Sequence, residues 1–459
     1  MNTIVALATP VGRSGIGVVR LSGNESLEIA SSLVDDHADA LIPRTAHLKL
    51  LRDPSNGEMI DEALVTFFKA PHSFTGEDVV EISCHGSPVL LRRLIDCCLR
   101  LGARMAEPGE FSLRALANGR MNLTEVEAIR DLINSQTTAA ARQAVRQLRG
   151  EFSHALQPIK DDLLNVIVVL ESALEFVEDD LPATESERIE SRLRAISVEL
   201  AKIAATFKVG HLIREGIRVA IVGRPNVGKS SLFNALLGTD RAIVTDIAGT
   251  TRDQLHEKLS INDIPVSLID TAGLRETVDT VESIGVERSR RTMADADLVI
   301  AMLDISENET DEDVEILKSV ESVPHLVVLN KVDKVDHETV EQFSRELAAQ
   351  LRDSRPQILT LSAKTLEGLE TLKREIIEPF ASDPVSSNGF LVSDARHYDL
   401  LVRANEEIKQ SMALLHDNTS EEITLVGLHN GLRYLGQITG ETTTEDMLTR
   451  IFATFCIGK

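Results

Sequence analysis

The sequence predicts a multidomain protein. It has an α+β N-terminal domain, a discontinuous all-α helical domain in two sequence-distant parts, and an α/β P-loop domain inserted between those parts. Three observations predict this. The chain has 459 residues, more than one hydrophobic core can serve. Its apolar period changes along the chain, from short alternating runs to helical spacing, then to alternating strands and helices, then back to helical spacing. Finally, Gly223 to Ser230 reads Gly-Arg-Pro-Asn-Val-Gly-Lys-Ser. This is a complete G-x-x-x-x-G-K-S phosphate loop between a strand pattern and a helix pattern, the context the motif requires.

In chain order, residues 1–118 form the first domain. Its strand candidates are Thr3–Ala8, Ile16–Leu21, His47–Leu51, Ala63–Phe68 and Val79–Ser83, and its helix candidates are Glu25–Val34 and Pro88–Leu101. Residues 119–215 are the first helical part, opening at Leu123 with few breakers. Pro158 is placed in the first turn of a second helix, where its missing N–H costs nothing. Thr184-Glu-Ser-Glu has a capping-box pattern before a third. Residues 216–380 alternate strands and helices, as in a parallel sheet. A Ser/Pro/Gly-containing linker, Ser382–Gly389, leads into the second helical part, within 381–459. Insertion of one domain into another is physically easy because domain termini often lie close together; the alternative is separate helical domains before and after.

Composition narrows the function. Lys and Arg total 48 against 72 Asp and Glu, a net charge of −24. A chain that grips nucleic acid unaided usually shows a basic excess, so any such contact is local or shared with a partner. The cysteines Cys84, Cys97, Cys98 and Cys456 contain no C-x-x-C pair. Structural disulfides and zinc are therefore not expected, and a cytoplasmic location is. The N-terminus lacks a signal-peptide pattern, and no apolar run is long enough to predict a membrane span.

The nucleotide site is the most legible feature. In the phosphate loop, backbone N–H groups of Asn226, Val227, Gly228, Lys229, Ser230 and Ser231 curl around phosphate oxygens. Lys229 supplies a cation and Ser230 a hydroxyl to Mg²⁺. Asp270-Thr271-Ala272-Gly273 follows the apolar strand Val266–Ile269, where an aspartate can hold a Mg²⁺-bound water. Asn330-Lys331-Val-Asp333 follows Leu326–Leu329, and its terminal carboxylate can accept two N–H bonds from a guanine edge. Ser362-Ala363-Lys364 completes the base pocket. Four short motifs in this order point to a Ras-like G domain that binds guanine nucleotide with Mg²⁺. Between the first two lies Thr245-Asp246-Ile247-Ala248-Gly249-Thr250-Thr251, a switch segment in which either adjacent threonine can complete the Mg²⁺ shell.

Leu274 stands where many GTPases place a glutamine to orient the attacking water. A leucine cannot hydrogen-bond water, so the chemistry needs another residue, a partner or an extra cation. Asn226 is a candidate cation ligand through its side-chain carbonyl. Glu282 is a candidate for orienting water, set against the plainer reading of a solvated helix-start carboxylate.

Together with the ends of the chain, these residues resemble the bacterial tRNA-modification GTPase family called MnmE or TrmE. The resemblance covers essentially the whole chain. It rests on Ala8-Thr-Pro, Gly15–Gly23, Ser73–Asp78 running into Glu81 and His85-Gly86, Pro108–Ser112, Ala117–Arg120, the phosphate loop, Gly249–Asp253 and the terminal Phe455-Cys-Ile-Gly-Lys459. It implies a homodimeric, K⁺-dependent GTPase, activated when two G domains meet. With a flavin-dependent partner, MnmG (GidA), in a heterotetramer, such a protein adds a carboxymethylaminomethyl-type group to C5 of the wobble uridine of certain tRNAs. A tetrahydrofolate derivative, 5-formyl or methylene, supplies the carbon. Carried over, K⁺ would be held by Asn226, Thr245, Ile247 and Thr250, and Mg²⁺ by Ser230 and Thr251. Glu282 would orient the attacking water through a second water. The resemblance places folate at Arg20, Glu81, Arg120 and Lys459 in a folate-binding and dimerisation domain. For Arg20 and Glu81 the plainer alternative is a strand-edge ion pair. Cys456 has no settled role, and tRNA would be bound mainly through the partner. A ribosome-assembly GTPase and a non-catalytic nucleotide switch are the competing readings.

Overall fold

The described residues gather into two compact units, one from residues 1–133, 147–194 and 406–459, the other from 134–146 and 195–405. The computed structural model describes residues 2–34, 41–175, 183–240, 257–269, 296–351, 357–380, 389–417, 421–442 and 445–458.

The first unit holds a sheet of strands β1 (Ile4–Leu7), β2 (Ser14–Ser22), β3 (Ala46–Arg52), β4 (Met59–Phe68), β5 (Val79–Gly86) and β6 (Arg104–Met105), in the order β3-β4-β5-β2-β1-β6. Neighbours are antiparallel except β1 and β6. Helices α1 (Ser26–Leu33) and α2 (Pro88–Arg100) cover one face. Alternating strand residues Val19, Leu21, Val80 and Ile82 bury against Leu33, Leu91 and Leu94, each burial contributing roughly 1.5–3 kcal/mol. Pro88 begins α2, where its fixed φ is preorganised for a helix. On the other face, α3 (Glu110–Ala117) packs Phe111 onto Ile4, Ala6 and Ala106. All predicted strands and helices of this region are present. The short elements β6 and α3 were not expected.

The helical segments α4 (Leu123–Asn134), α5 (Thr138–Leu148), α6 (Glu151–Glu175), α7 (Ala183–Ala205) and α8 (Phe207–Glu215) follow. Pro158 lies inside α6, which corrects the expectation of a helix start. A proline there costs about 3 kcal/mol. The buried stripe Phe152, Leu156, Ile159, Leu163, Val166, Ile167 and Leu170 runs through it on both sides and outweighs that cost. α7 starts at Ala183, one residue before the predicted cap Thr184, a shift within ordinary boundary fraying.

The second unit is built on β7 (Ile217–Val222), α9 (Lys229–Asp240), β8 (Glu257–Ile261), β9 (Ile264–Ile269), β10 (Leu298–Asp304), α10 (Asp311–Val320), β11 (His325–Asn330), α11 (His337–Gln350), β12 (Gln357–Leu361) and α12 (Leu369–Ile377). The strand order is β12-β11-β10-β7-β9-β8, parallel apart from the β8–β9 pair. Every residue of β10 is buried, because helices cover both faces of a parallel sheet. Separate apolar clusters form on the two faces, one around Val219, Leu268 and Ile300, the other around Ala220, Val299 and Val327.

Beyond it come α13 (Ala395–His416), α14 (Glu421–Thr439) and α15 (Glu445–Phe452). Within the first unit, α14 lies along α6. The Lys160 ammonium pairs with Glu441 at 2.5 Å, and His429 Nε2 is 3.0 Å from Glu171, so the two helices run antiparallel. Helices from before and after the α/β block thus share one body, as a discontinuous helical domain requires. Among the described residues, no helix is long and apolar enough to cross a membrane.

Candidate functional site

The C-terminal edge of the parallel sheet gathers three of the predicted motifs. Strand β7 delivers the phosphate loop, β11 ends at Asn330, and β12 ends one residue before Ser362. Ligands of open α/β sheets bind at this edge. Asn330 joins the three segments. Its amide Nδ2 donates to the Val227 carbonyl at 2.7 Å, and its Oδ1 accepts from Ala363 N–H at 3.0 Å. Gly228 makes that contact possible: at φ +105°, a Cβ there would sit 2.2 Å from Asn330 Nδ2. The Ser362 hydroxyl donates to Asp333 Oδ1 at 2.7 Å, orienting the carboxylate assigned to the base.

Lys229 opens α9, and its Nζ donates to the carbonyls of Gly223 (2.6 Å) and Arg224 (2.8 Å). Burial lowers its pKa below the usual lysine range. Asn226 sits at the loop tip, exposed, with φ +65°. Two ion pairs hold the Arg224 side chain: Nη2 lies 2.8 Å from Glu307, and Nε 3.2 Å from Asp313. Lys331 pairs with Asp304. Sequence reasoning missed Asp304, Glu307 and Asp313. Asp304 ends an apolar strand and Glu307 follows it, and neither matches a motif; Asp313 closes a capping-box pattern with Thr310, which marks a helix start and not a partner for Arg224. The segment Thr245–Thr251, the residues Asp270–Gly273, Leu274 and Glu282 lie outside the described residues.

The second candidate site is on the N-terminal sheet. Arg20 on β2 and Glu81 on β5 are cross-strand partners, paired through Arg20 Nη2 at 2.7 Å and Nε at 2.9 Å. The ion pair of the plainer reading is therefore present, between two central strands of the sheet and not at its edge. More is gathered around it. The Arg20 guanidinium lies 5.3 Å from the Phe74 ring centroid and 5.7 Å from that of Phe111, within cation–π range. Its Nη1 donates to the Gly458 carbonyl at 3.3 Å. The C-terminal tail reaches this point because Phe452 and Phe455 are buried beside Val126, and because Gly458 (φ +97°) packs where a Cβ would meet the Leu7 carbonyl at 2.4 Å. Arg120 Nε donates to Ser73 O at 3.2 Å, next to Phe74.

A buried polar network fixes the 73–78 loop. Ser22 Oγ donates to Glu77 at 2.8 Å, Arg114 pairs with Glu77 at 2.8 Å and with Glu110 at 2.9 Å, and Asn118 donates to Thr75 O at 2.7 Å. Burial alone would raise the Glu110 pKa, but its hydrogen bonds and ion pairs with Arg104 and Arg114 hold it below the usual carboxylate range. Cys456 is exposed, and its carbonyl accepts from Gly109 N–H at 3.4 Å. Lys459 lies outside the described residues.

Two family models match consecutive stretches of the chain. The GTP-binding protein TrmE N-terminus matches residues 3–120, and the MnmE helical domain matches residues 123–456. The chain belongs to the MnmE family. A relative from Aquifex aeolicus called tRNA modification GTPase MnmE is 43% identical over 99% of both chains. One of the same name from Koribacter versatilis is 43% identical over all of this chain and 99% of its own. Among solved structures, a variant of Aquifex aeolicus Era bound to GDP.AlF4- shares 27% identity over 42% of this chain and 66% of its own, at a TM-score of 0.29, too low to bear on the fold. The phosphate loop, Asn330 and Ser362 lie within the helical-domain match, and Arg20, Glu81 and Arg120 within the N-terminal match.

Proposed function

We propose that this chain is a GTP hydrolase acting in tRNA modification. In this reading the parallel sheet is its motor domain, and the N-terminal sheet is its folate site. The observation that carries the first half is the Asn330 bridge, which ties the phosphate loop to the base-recognition loop. Lys229 and the loop amides of 226–231 receive the phosphates, and Ser230 with Thr251 would hold Mg²⁺ against them. Asp333 and the Ser362–Lys364 loop take the guanine edge. Asp270 would hold a Mg²⁺-bound water and Gly273 would offer its N–H to the terminal phosphate. The exposed Asn226, with Thr245, Ile247 and Thr250, would hold K⁺, supplying the positive charge that another GTPase draws from an arginine. Glu282 orients water in place of the glutamine that Leu274 excludes.

The second half is supported by the convergence of Arg20, Glu81 and the chain terminus. A carboxylate suits the donor edge of a pterin, and Arg20, Arg120 and Lys459 suit its glutamate tail. The acceptor would be the wobble uridine of tRNA, presented by MnmG in a heterotetramer built on a homodimer. The acidic balance of the chain fits tRNA binding through such a partner. The domain limits that go with this reading fall near residues 118, 215 and 380, and the location is the cytoplasm. Membership in the family favours this reading over a ribosome-assembly role.

The test is nucleoside analysis of tRNA from cells carrying Glu282→Ala, alongside GTP turnover in K⁺ and in Na⁺. The expected outcome is loss of wobble-uridine modification and a K⁺ requirement in the unaltered protein. Normal modification in the variant, or equal turnover in both salts, would overturn the mechanism.

A further inference from the structure

The segment from the end of β10 to the first turn of α10 touches the nucleotide site at two separate places. Asp304, the last residue of β10, lies in register beside Asn330, the last residue of β11. Its carboxylate is buried. One oxygen accepts from Ser306 N–H at 3.0 Å and Ser306 Oγ–H at 2.6 Å, and the other faces Lys331 Nζ. Lys331 has φ +69°, a conformation a side-chain-bearing residue rarely adopts unless held there. Lys334 N–H closes the turn on the Lys331 carbonyl at 3.0 Å, and the ion pair to Asp304 anchors the Lys331 side chain. Further along the same loop, Glu307 and Asp313 take the guanidinium of Arg224. Asp313 is itself fixed, because it forms a capping box with Thr310 at the start of α10.

We propose that the loop Asp304–Asp313 is a clamp that sets the spacing between the phosphate loop and the Asn330–Asp333 turn, with Asp304 a positioning residue for retention of guanine nucleotide. This rests on the nucleotide reading of the site given above. Releasing Lys331 from Asp304 loosens one anchor of the Asn330–Asp333 turn and lets Asn330 and Asp333 move relative to the phosphate loop. Such a change weakens binding of substrate and transition state alike, so it falls on KM rather than on kcat. The charge the clamp needs is maintained at neutral pH. Burial would raise the Asp304 pKa, but the hydrogen bonds from Lys331 and Ser306 pull it below the usual carboxylate range.

The experiment is stopped-flow release of mant-labelled GDP from the full chain, with GTP turnover in parallel. Asp304→Asn is expected to release GDP about tenfold faster and to raise KM for GTP by a similar factor. Asp304→Glu, which keeps the charge, should recover most of the loss. Arg224→Gln should also hasten release, and the double variant should lose less than the product of the two single losses, because both act through one loop. Release within about twofold of the unaltered protein in Asp304→Asn would overturn the clamp, as would a fall in kcat at constant KM. Should Asp304→Asn fail to fold, unchanged release in Arg224→Gln does the same. Failure of the unaltered chain to bind mant-GDP sinks the nucleotide reading itself. Firm binding with unchanged release in folded variants sinks only the clamp.

Discussion

The two candidate sites are built by opposite means. At the edge of the parallel sheet the proposed binding groups are largely backbone amides in one contiguous loop, and the side chains proposed to complete the site come from turns that follow the strands. On the N-terminal sheet, Arg20 and Glu81 meet across strands, and the residue that closes the arrangement, Gly458, lies 438 positions from Arg20. A site made from one loop is written locally and can be read locally. A site made by a sheet register and a docked tail is written in the packing. The first depends on a few backbone conformations, such as Gly228 at φ +105°, and the second on the burial of Phe452 and Phe455.

Four experiments can break or sharpen this comparison. Lys229→Ala removes the cation at the phosphates and should lower GTP turnover on the order of a hundredfold or more. Turnover within tenfold of the unaltered chain would show that the loop does not act as assigned. Gly228→Ala places a methyl group on Asn330 and forces a side chain into a left-handed conformation, at about 1–3 kcal/mol for the backbone alone. Calorimetric binding of GDP should weaken by about tenfold or more, and unweakened binding would mean the Asn330 bridge is dispensable.

Deletion of residues 455–459 should abolish binding of 5-formyltetrahydrofolate. It should also cost about 1.5–3 kcal/mol in unfolding of the first unit through loss of the buried Phe455. Equilibrium dialysis checks the first effect and denaturant titration the second. Retained folate binding would remove the tail from the second site.

The smallest effect is in pH. Asp304, Glu110 and Asp394 all have folded-state pKa values below their ordinary ones. For Asp394, burial acts upward, and His397 and Arg214 pull it down more strongly. A depressed carboxylate pKa contributes stability that is present above the unfolded value, about 4, and is lost as pH falls through the folded value. Melting temperature should therefore be insensitive to these groups between about pH 5 and 8 and should decline only below about pH 4. A decline in the Asp304→Asn, Glu110→Gln and Asp394→Asn variants that starts at the same higher pH as in the unaltered chain would assign the acid limit to other groups.

How much of this was legible follows the same division. Most strands stood out because their apolar periods differ, alternating in the first sheet and near-continuous in the second; β6, β8 and β10 were not singled out. The Gly-x-x-x-x-Gly-Lys-Ser loop and the Asn330 and Ser362 motifs were readable because each sits at a strand end. Pro158 misled because local helix rules put a proline at a helix start, while the burial of Leu156, Ile159 and Leu163 carries α6 through it. The loop from Asp304 to Asp313 was silent because ion pairs to Lys331 and Arg224 have no spacing to recognise. That Arg20 meets Gly458 was beyond any local pattern.

Gly458 has a consequence for how the molecule is made. Synthesis runs from the N-terminus, and domains fold as they emerge. The sheet that carries Arg20 and Glu81 is available early, yet the neighbour whose carbonyl meets Arg20 lies 438 positions further along the chain. The second site is therefore completed long after its sheet has emerged, and it waits for the packing of Phe452 and Phe455 to bring Gly458 back to Leu7.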